Sequence, residues 1–221
     1  MLPLLLVATA LATPPTATLD SLDAALEALA DPDQVERFQV TTTASYADTD
    51  GDDAHVDVVL TQLSWDAAGE SVSAKLSHTH DGDPIEEEQA RGDRDDEDKD
   101  ESGFTLAVPA TDDLHRYVYG PTTQRGAAAL ALYEPAPGEP SADDLATGEV
   151  AWDPTTGRPL WITFEPVDKP FLVKTLNNRL VIGETGDTLH TVRIISSGIG
   201  GPPLLRKKFE MDMRFHDVVW R

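Results

Sequence analysis

Residues 147–176 read TGEVAWDPTTGRPLWITFEPVDKPFLVKTL, and this stretch indicates the fold more clearly than any other part of the chain. Residues 147–152 and 159–166 contain the β-branched and aromatic side chains that favour strands. Between them, Asp153–Gly157 carries the Asp, Pro and Gly residues that are typical of tight turns. The stretch therefore predicts an antiparallel hairpin, followed by another strand from about residue 170.

Alternating apolar and polar residues continue on both sides of this hairpin and predict further strands. We expect strands near residues 37–46, 55–66, 71–80, 116–119, 126–134, 147–152, 159–166, 170–182, 187–197 and 204–220. The alternation in 55–66 changes sides near Thr61-Gln62, which predicts either a β-bulge there or a strand with two partly buried faces. An antiparallel sheet of about ten strands must curl, close on itself or split into two sheets.

One helix precedes these strands. Residues 19–30, LDSLDAALEALA, place Leu19, Leu22, Leu26 and Leu29 on one helical face, and Asp31-Pro32 ends the pattern. We expect this helix to cover the concave side of the sheet. The predicted fold class is therefore mainly β with one helix (α+β), built on a large curved antiparallel sheet.

The N-terminal twelve residues, MLPLLLVATALA, have the features of a signal peptide. The apolar run is too short to span a bilayer as a helix, and Ala10-Leu11-Ala12 is a small-x-small cleavage site. We expect residues 1–12 to be removed, residues 13–18 to be a linker and residues 19–221 to form one periplasmic or secreted domain. The alternative is a disordered N-terminus on a cytoplasmic protein.

Composition excludes several classes of protein. The net charge of −23 argues against binding to nucleic acid or to anionic lipid, both of which need basic surfaces. The absence of cysteine excludes disulfides, thiolate nucleophiles and cysteine-ligated metals. Asp81–Glu101 holds 12 acidic and three basic residues, so we expect a disordered acidic insertion over about 81–103.

The order of an apolar leader, a short Leu-rich helix and long antiparallel strands resembles the periplasmic lipoprotein-carrier superfamily (LolA/LolB-like, or outer-membrane lipoprotein-sorting-like). The likeness is clearest in 147–176, where a strand, a D-P-x-T-G turn, a second strand and P-x-x-x-K follow one another. It covers residues 19–221 apart from the acidic insertion. The resemblance implies an unclosed half-barrel with a helical lid, whose concave apolar face takes lipid chains and performs no chemistry.

The candidate ligand-binding residues are apolar side chains on alternating strand positions. Period two places them on one face of the sheet. They are Phe38, Val40, Leu160, Ile162, Phe164, Leu205, Phe209, Met211, Met213 and Phe215. Methionine adapts to flexible ligands, so the last strand is the strongest candidate. The alternative is that these residues pack as ordinary core against the helix.

Polar motifs give weaker indications of chemistry. His78 and His80 share a strand face, with Asp83 nearby, and could bind a metal; the alternative is a strand leaving the core toward the acidic segment. The Asp-rich turn 48–53 could bind calcium, but it lacks the glutamate that completes an EF-hand. No nucleophile motif occurs. We therefore predict no catalytic residue, no metal site and no cofactor.

The sequence leaves three functions open. The first is a non-enzymatic carrier of a hydrophobic small molecule or lipid, expected to be a monomer that meets a membrane protein transiently without being an integral membrane protein itself. The second is an extracytoplasmic structural or protein-interaction domain without a ligand. The third is a metal-dependent hydrolase. An apolar cavity between helix and sheet would favour the first, and a solid core the second.

Overall fold

The computed structural model describes residues 35–65, 71–85, 116–139, 145–169, 172–202 and 206–220. Twelve strands lie within these ranges. They are β1 (Val35–Asp48), β2 (His55–Trp65), β3 (Ser71–His80), β4 (Asp83–Pro84), β5 (Tyr117–Tyr119), β6 (Thr123–Arg125), β7 (Ala128–Pro135), β8 (Ala146–Trp152), β9 (Pro159–Pro166), β10 (Val173–Thr185), β11 (Thr188–Gly200) and β12 (Lys207–Trp220).

All twelve strands belong to one antiparallel sheet. Its order is β4-β3-β2-β1-β12-β11-β10-β9-β8-β7-β5, and β6 also pairs with β7. Consecutive strands pair with one another within β1–β4 and within β6–β12, β5 pairs with β7, and β12 also pairs with β1. The two edges do not meet, so the sheet stays open, as the prediction of an unclosed barrel requires.

The predicted strands of the hairpin region are confirmed. Strands β8 and β9 pair antiparallel, with Val150 opposite Ile162. Asp153 begins their turn as expected: its carboxylate accepts hydrogen bonds from the Thr155 amide at 2.8 Å and the Thr156 hydroxyl at 2.9 Å. Both bonds favour the ionised form and hold the pKa of Asp153 below its ordinary value.

Directly paired residues of an antiparallel sheet project to the same side, so the register defines two faces. We call one of them the apolar face. From β12 to β7 it carries a row of directly paired residues: Met213, Ile194, Leu180, Ile162, Val150 and Ala131. On β1, Thr42 is the partner of Met213, and Val40 lies next to Thr42 on the same face. The other side is the opposite face.

Two strand irregularities differ from the sequence prediction. The bulge lies in β3 at Leu76, because Leu60 pairs with Ser77 while Thr61 pairs with Lys75. Strand β2 itself continues without interruption. A second bulge lies in β9 at Leu160, because Ala151 pairs with Trp161 while Trp152 pairs with Pro159.

The acidic segment does not begin as a disordered loop. Asp81 and Gly82 form a turn, and β4 pairs with β3. The Asp81 amide donates to Val56 O at 2.8 Å, and the Ile85 amide donates to His78 O at 2.9 Å. Backbone pairing thus orders residues 81–85 despite their charge, while 86–103 lie outside the described residues.

Other predictions fall outside the described ranges. These are the signal peptide over 1–12, the linker over 13–18 and the helix over 19–30. The described residues contain strands but no α-helix. Within them, no helix has the length and apolar character needed to cross a membrane.

Candidate functional site

Most of the predicted ligand-binding residues lie on the apolar face. Val40 pairs with Phe215, and the rings of Phe38 and Phe215 are 5.5 Å apart. Met213 pairs with Ile194, whose other neighbour Leu180 pairs with Ile162. The register therefore brings β1, β12 and β9 to one continuous face, as period two predicted.

Leu160 is an exception, and Leu205 lies outside the described residues. The bulge in β9 shifts Leu160 out of the alternation that Ile162 and Phe164 follow. Leu160 packs instead with Trp161 against a small cluster of Ala128, Leu130 and Ala151. Its predicted place beside Ile162 is therefore wrong, because a one-residue bulge exchanges the two faces.

One part of the apolar face is close-packed, and we call it the closed half. Its members come from β5 and β7–β11: Tyr117, Ala129, Ala131, Tyr133, Ala146, Val150, Trp152, Ile162, Phe164, Leu180, Ile182 and Ile194, with Leu145 beside them. Ile162 is 1% exposed and Phe164 is 3% exposed. Val40 of β1 is 5% exposed, so three of the predicted ligand-binding residues are buried in this structure.

The other part of the face is only partly covered. We call Phe38, Phe209, Met211, Met213 and Phe215 the Met/Phe strip; all five are partly buried. The ring of Phe209 lies over Gly198, where a Cβ would come within 2.7 Å of it. Glycine at this position lets the ring lie flat on β11.

A buried polar pair separates the closed half from Met211. Ser196 lies between Asn178 and Met211 in the sheet, and its hydroxyl donates to Asn178 Oδ1 at 2.7 Å. Asn178 donates to the carbonyl of Phe164 at 3.4 Å. Hydrogen bonding satisfies both side chains, so the pair is compatible with burial but interrupts the apolar surface.

The same face becomes polar at β2 and β3, where three histidines and three aspartates form what we call the histidine cluster. Its members are Asp53, His55, Asp57, His78, His80 and Asp81. His80 Nδ1 is 3.0 Å from Asp57 Oδ1, and His80 Nε2 is 3.5 Å from Asp81 Oδ2. His55 Nδ1 is 2.8 Å from Asp81 Oδ2, and its Nε2 is 3.2 Å from Asp53 Oδ1.

These contacts shift the ionisation of the cluster. The hydrogen bond to Asp81 raises the pKa of His55 despite some desolvation, and Asp53 adds to the effect. The same bond, with the Val56 amide, lowers the pKa of Asp81. Burial favours the neutral form of Asp57, but hydrogen bonds from His80 and His78 outweigh it, so the pKa of Asp57 is lowered.

Sequence reasoning found only part of this cluster. It identified His78 and His80, but within the cluster the His78 ring approaches Asp57, at 3.4 Å from Nε2, and Asp83 belongs to β4. It missed His55 and Asp81. The pairing of Asp57 with His80 brings the start of β2 beside the end of β3, so the hairpin register was the signal that could have located them.

Several cavities border described residues. One of about 440 Å³ lies mainly on the opposite face, between Ser45, Asn177, Ser197 and Glu210. Another of about 370 Å³ lies beside it, near Thr163 and Arg179. A third, of about 410 Å³, borders Phe38 of the Met/Phe strip, together with Gln39 and Gln62.

No protein-family model matches the chain, and no curated protein matches its sequence. Its similar solved structures include a domain of the outer membrane lipoprotein-sorting kind from Vibrio parahaemolyticus, at 8% identity and TM-score 0.44 over 92% of both chains. A DUF1329 family protein from Desulfovibrio piger has 8% identity and TM-score 0.37, covering 94% of this chain and 93% of that one. MucB, in complex with MucA, has 11% identity and TM-score 0.24, covering 90% and 94%.

The first of these neighbours is described as a lipoprotein-sorting domain, the kind of protein named in the resemblance above. At this identity and these TM-scores the likeness assigns no ligand and no partner to the chain.

Proposed function

We propose that the protein is a non-enzymatic, extracytoplasmic binder or carrier of a hydrophobic ligand, a lipid or an acyl chain. The observation that carries this proposal is the incomplete burial of the Met/Phe strip beside the close-packed closed half of the same face. Three aromatic rings and two methionines remain partly accessible on neighbouring strands. Methionine side chains are flexible and polarisable, which suits an apolar ligand of irregular shape.

The ligand would lie along β12, on Met211 and Met213, with Phe38 and Phe215 at one end and Phe209 at the other. The helix expected over 19–30 would cover the part of the face that the ligand leaves free. The signal-like segment 1–12 supports a periplasmic or secreted location, and we propose that the carrier acts as a monomer.

Met213→Trp tests the proposal by filling the strip. We expect this variant to lose uptake of a fluorescent fatty-acid analogue while its thermal unfolding stays close to wild type, because Met213 is only partly buried where it packs against the closed half. Ile162→Trp is the matched control in the closed half. It should lower the free energy of unfolding by about 1–3 kcal/mol, since overpacking a dense core forces strain.

Lys208→Gln provides a second control, because Lys208 is exposed on the opposite face of β12. Its uptake should equal that of wild type. A wild-type protein that takes up no analogue, combined with a strongly destabilised Met213→Trp variant, would contradict the carrier function.

A structural or protein-interaction domain is the second candidate. The burial of Ile162 and Phe164 to 1% and 3% favours it, since these residues were expected to face a ligand and instead lie in a solid core. The same uptake measurement separates the two candidates.

A further inference from the structure

We propose that His55, His80 and Asp81 form a binding site for a divalent transition metal of the zinc type. His55 begins β2, His80 ends β3, and Asp81 opens the turn that follows. One ligand atom of each residue lies within 4.8 Å of the other two. The site is independent of the hydrophobic-ligand proposal.

The three atoms already approach the spacing of a metal site. Asp81 Oδ2 is 2.8 Å from His55 Nδ1 and 3.5 Å from His80 Nε2. In a tetrahedral zinc site with bonds of about 2.0–2.1 Å, neighbouring ligand atoms are about 3.3–3.4 Å apart. The contact between His55 and Asp81 would lengthen by about half an ångström to reach this spacing, and the ligand nitrogens of His55 and His80 lie within 4.8 Å of each other.

In both histidines, the ring nitrogen that would not bind the ion lies close to a carboxylate, as is usual for metal-binding imidazoles. A metal-ligating histidine usually donates its other ring N–H to a carboxylate, which orients the ring. His80 has Asp57 at 3.0 Å from Nδ1, and His55 has Asp53 at 3.2 Å from Nε2. Each ring thus presents one nitrogen to the proposed ion and the other to a separate carboxylate.

The third ligand is also held in place, and the two rings lie close together. The Val56 amide donates to Asp81 Oδ1 at 2.7 Å, which leaves Oδ2 for the ion. The two imidazoles stack with centroids 5.3 Å apart and an interplanar angle of 20°. Because a metal lies in the plane of each imidazole that binds it, the rings would tilt apart when the ion enters.

The donor set selects the class of metal. Two imidazoles and one carboxylate suit zinc and similar first-row ions, whereas calcium and magnesium prefer oxygen ligands alone. Three protein ligands leave a fourth position for water, the pattern of an open site. Asp53, Asp57 and Asp81 also surround the histidines with negative charge, which a dication would neutralise.

The test is titration of purified, tag-free full chain with Zn²⁺ by calorimetry, and with Co²⁺ followed by visible absorption. We expect one saturable site per chain and the absorption bands of Co²⁺ with nitrogen and oxygen ligands. His80→Gln and His55→Gln should each abolish this site. Asp57→Asn should weaken Zn²⁺ binding about 10- to 100-fold, because it removes only the outer support of His80.

His216→Gln is the matched control. The side chain of His216 is 40% exposed, as is that of His80, but it contacts Thr41 and Asp217 far from the cluster along β12. The His216→Gln variant should bind Zn²⁺ with the same affinity as wild type. Circular dichroism of each variant establishes that loss of binding is not loss of fold.

Several results would overturn the site: no saturable Zn²⁺ binding by folded wild type, equal binding by His80→Gln, or displacement of Zn²⁺ by equimolar Ca²⁺. Because no lipid is present in these titrations, a failed metal site and a failed carrier function are distinguishable.

Discussion

The closed half and the Met/Phe strip share one face of one sheet, yet they are packed differently. Ile162 and Phe164 in the closed half are 1% and 3% exposed, whereas every member of the strip is only partly buried. The difference follows the side chains along each strand. Strands β7–β10 place mostly apolar residues on this face, whereas β2 and β3 place both polar and apolar residues there.

The closed half and the Met/Phe strip are expected to serve different roles, the first in stability and the second in ligand binding. Alternation alone gives a strand an apolar side, but burial requires that neighbouring strands also be apolar there. On β2 and β3 this face carries Asp57 and three histidines besides Val59 and Leu63, so the strip has fewer apolar neighbours than the closed half. We therefore expect substitutions in the closed half to affect folding and substitutions in the strip to affect binding.

Truncating a side chain in the closed half and one in the Met/Phe strip should give the largest difference in the free energy of unfolding. Ile162→Ala should reduce the free energy of unfolding by about 2–5 kcal/mol, because it leaves a cavity in a packed core. Met213→Ala should cost less, since the strip is already partly open. Chemical denaturation of both variants measures this; equal losses would remove the distinction between the two regions.

Gly198 tests the contact that holds Phe209 on β11. A Cβ there would come within 2.7 Å of the Phe209 ring and would also meet the Thr175 carbonyl. Gly198→Ala should therefore cost about 1–3 kcal/mol of stability. At Gly120 the nearest atom to an added Cβ is 3.8 Å away, so Gly120→Ala is the control that thermal unfolding should find near wild type.

The smallest effect is expected on the opposite face. Asp212 binds Arg193 through bonds of 2.7 and 2.8 Å and also accepts from Arg214. The hydrogen bond from Arg193 lowers the pKa of Asp212 despite partial burial, with Arg214 adding to it. Because Arg193 is 40% exposed, we expect Asp212→Asn to cost about 1 kcal/mol at neutral pH.

The pH dependence has a definite sign. A carboxyl with a lowered folded pKa stabilises the protein above its ordinary pKa of about 3.9, and this stabilisation is lost as pH falls through the folded value. Wild type and Asp212→Asn should therefore differ at pH 7 and converge in strong acid. A difference that grows on acidification would show that the ion pair does not stabilise the fold.

The strand pattern was predictable because alternation and turn residues are local signals. Asp153–Gly157 marked the β8–β9 turn, and Phe209–Phe215 marked the apolar side of β12. The bulge that turns Leu160 to the opposite face was not predictable, since one extra residue leaves the composition of the strand unchanged. The ordering of Asp81–Ile85 was missed because backbone bonds to Val56 and His78 outweigh local charge.

The Met/Phe strip and the histidine cluster also differ in how far the sequence alone could predict them. The Met/Phe strip could be found from period two along a single strand, although the burial of Ile162 and Phe164 could not, because burial depends on neighbouring strands. The histidine cluster joins residues from two turns and two strands, so its composition depends on the register of β2 with β3. His80 was identified, whereas His55 and Asp81 were not.

Photo-crosslinking tests the central claim most directly. Wild-type protein is irradiated with a fatty acid that carries a photoreactive diazirine, and the modified residues are identified by peptide mass spectrometry. We predict saturable modification of the Met/Phe strip, at Met211, Met213 and the adjacent phenylalanines, competed by unlabelled fatty acid. Modification confined to opposite-face residues such as Lys208 and Glu210, or none that unlabelled fatty acid can compete, would contradict the account.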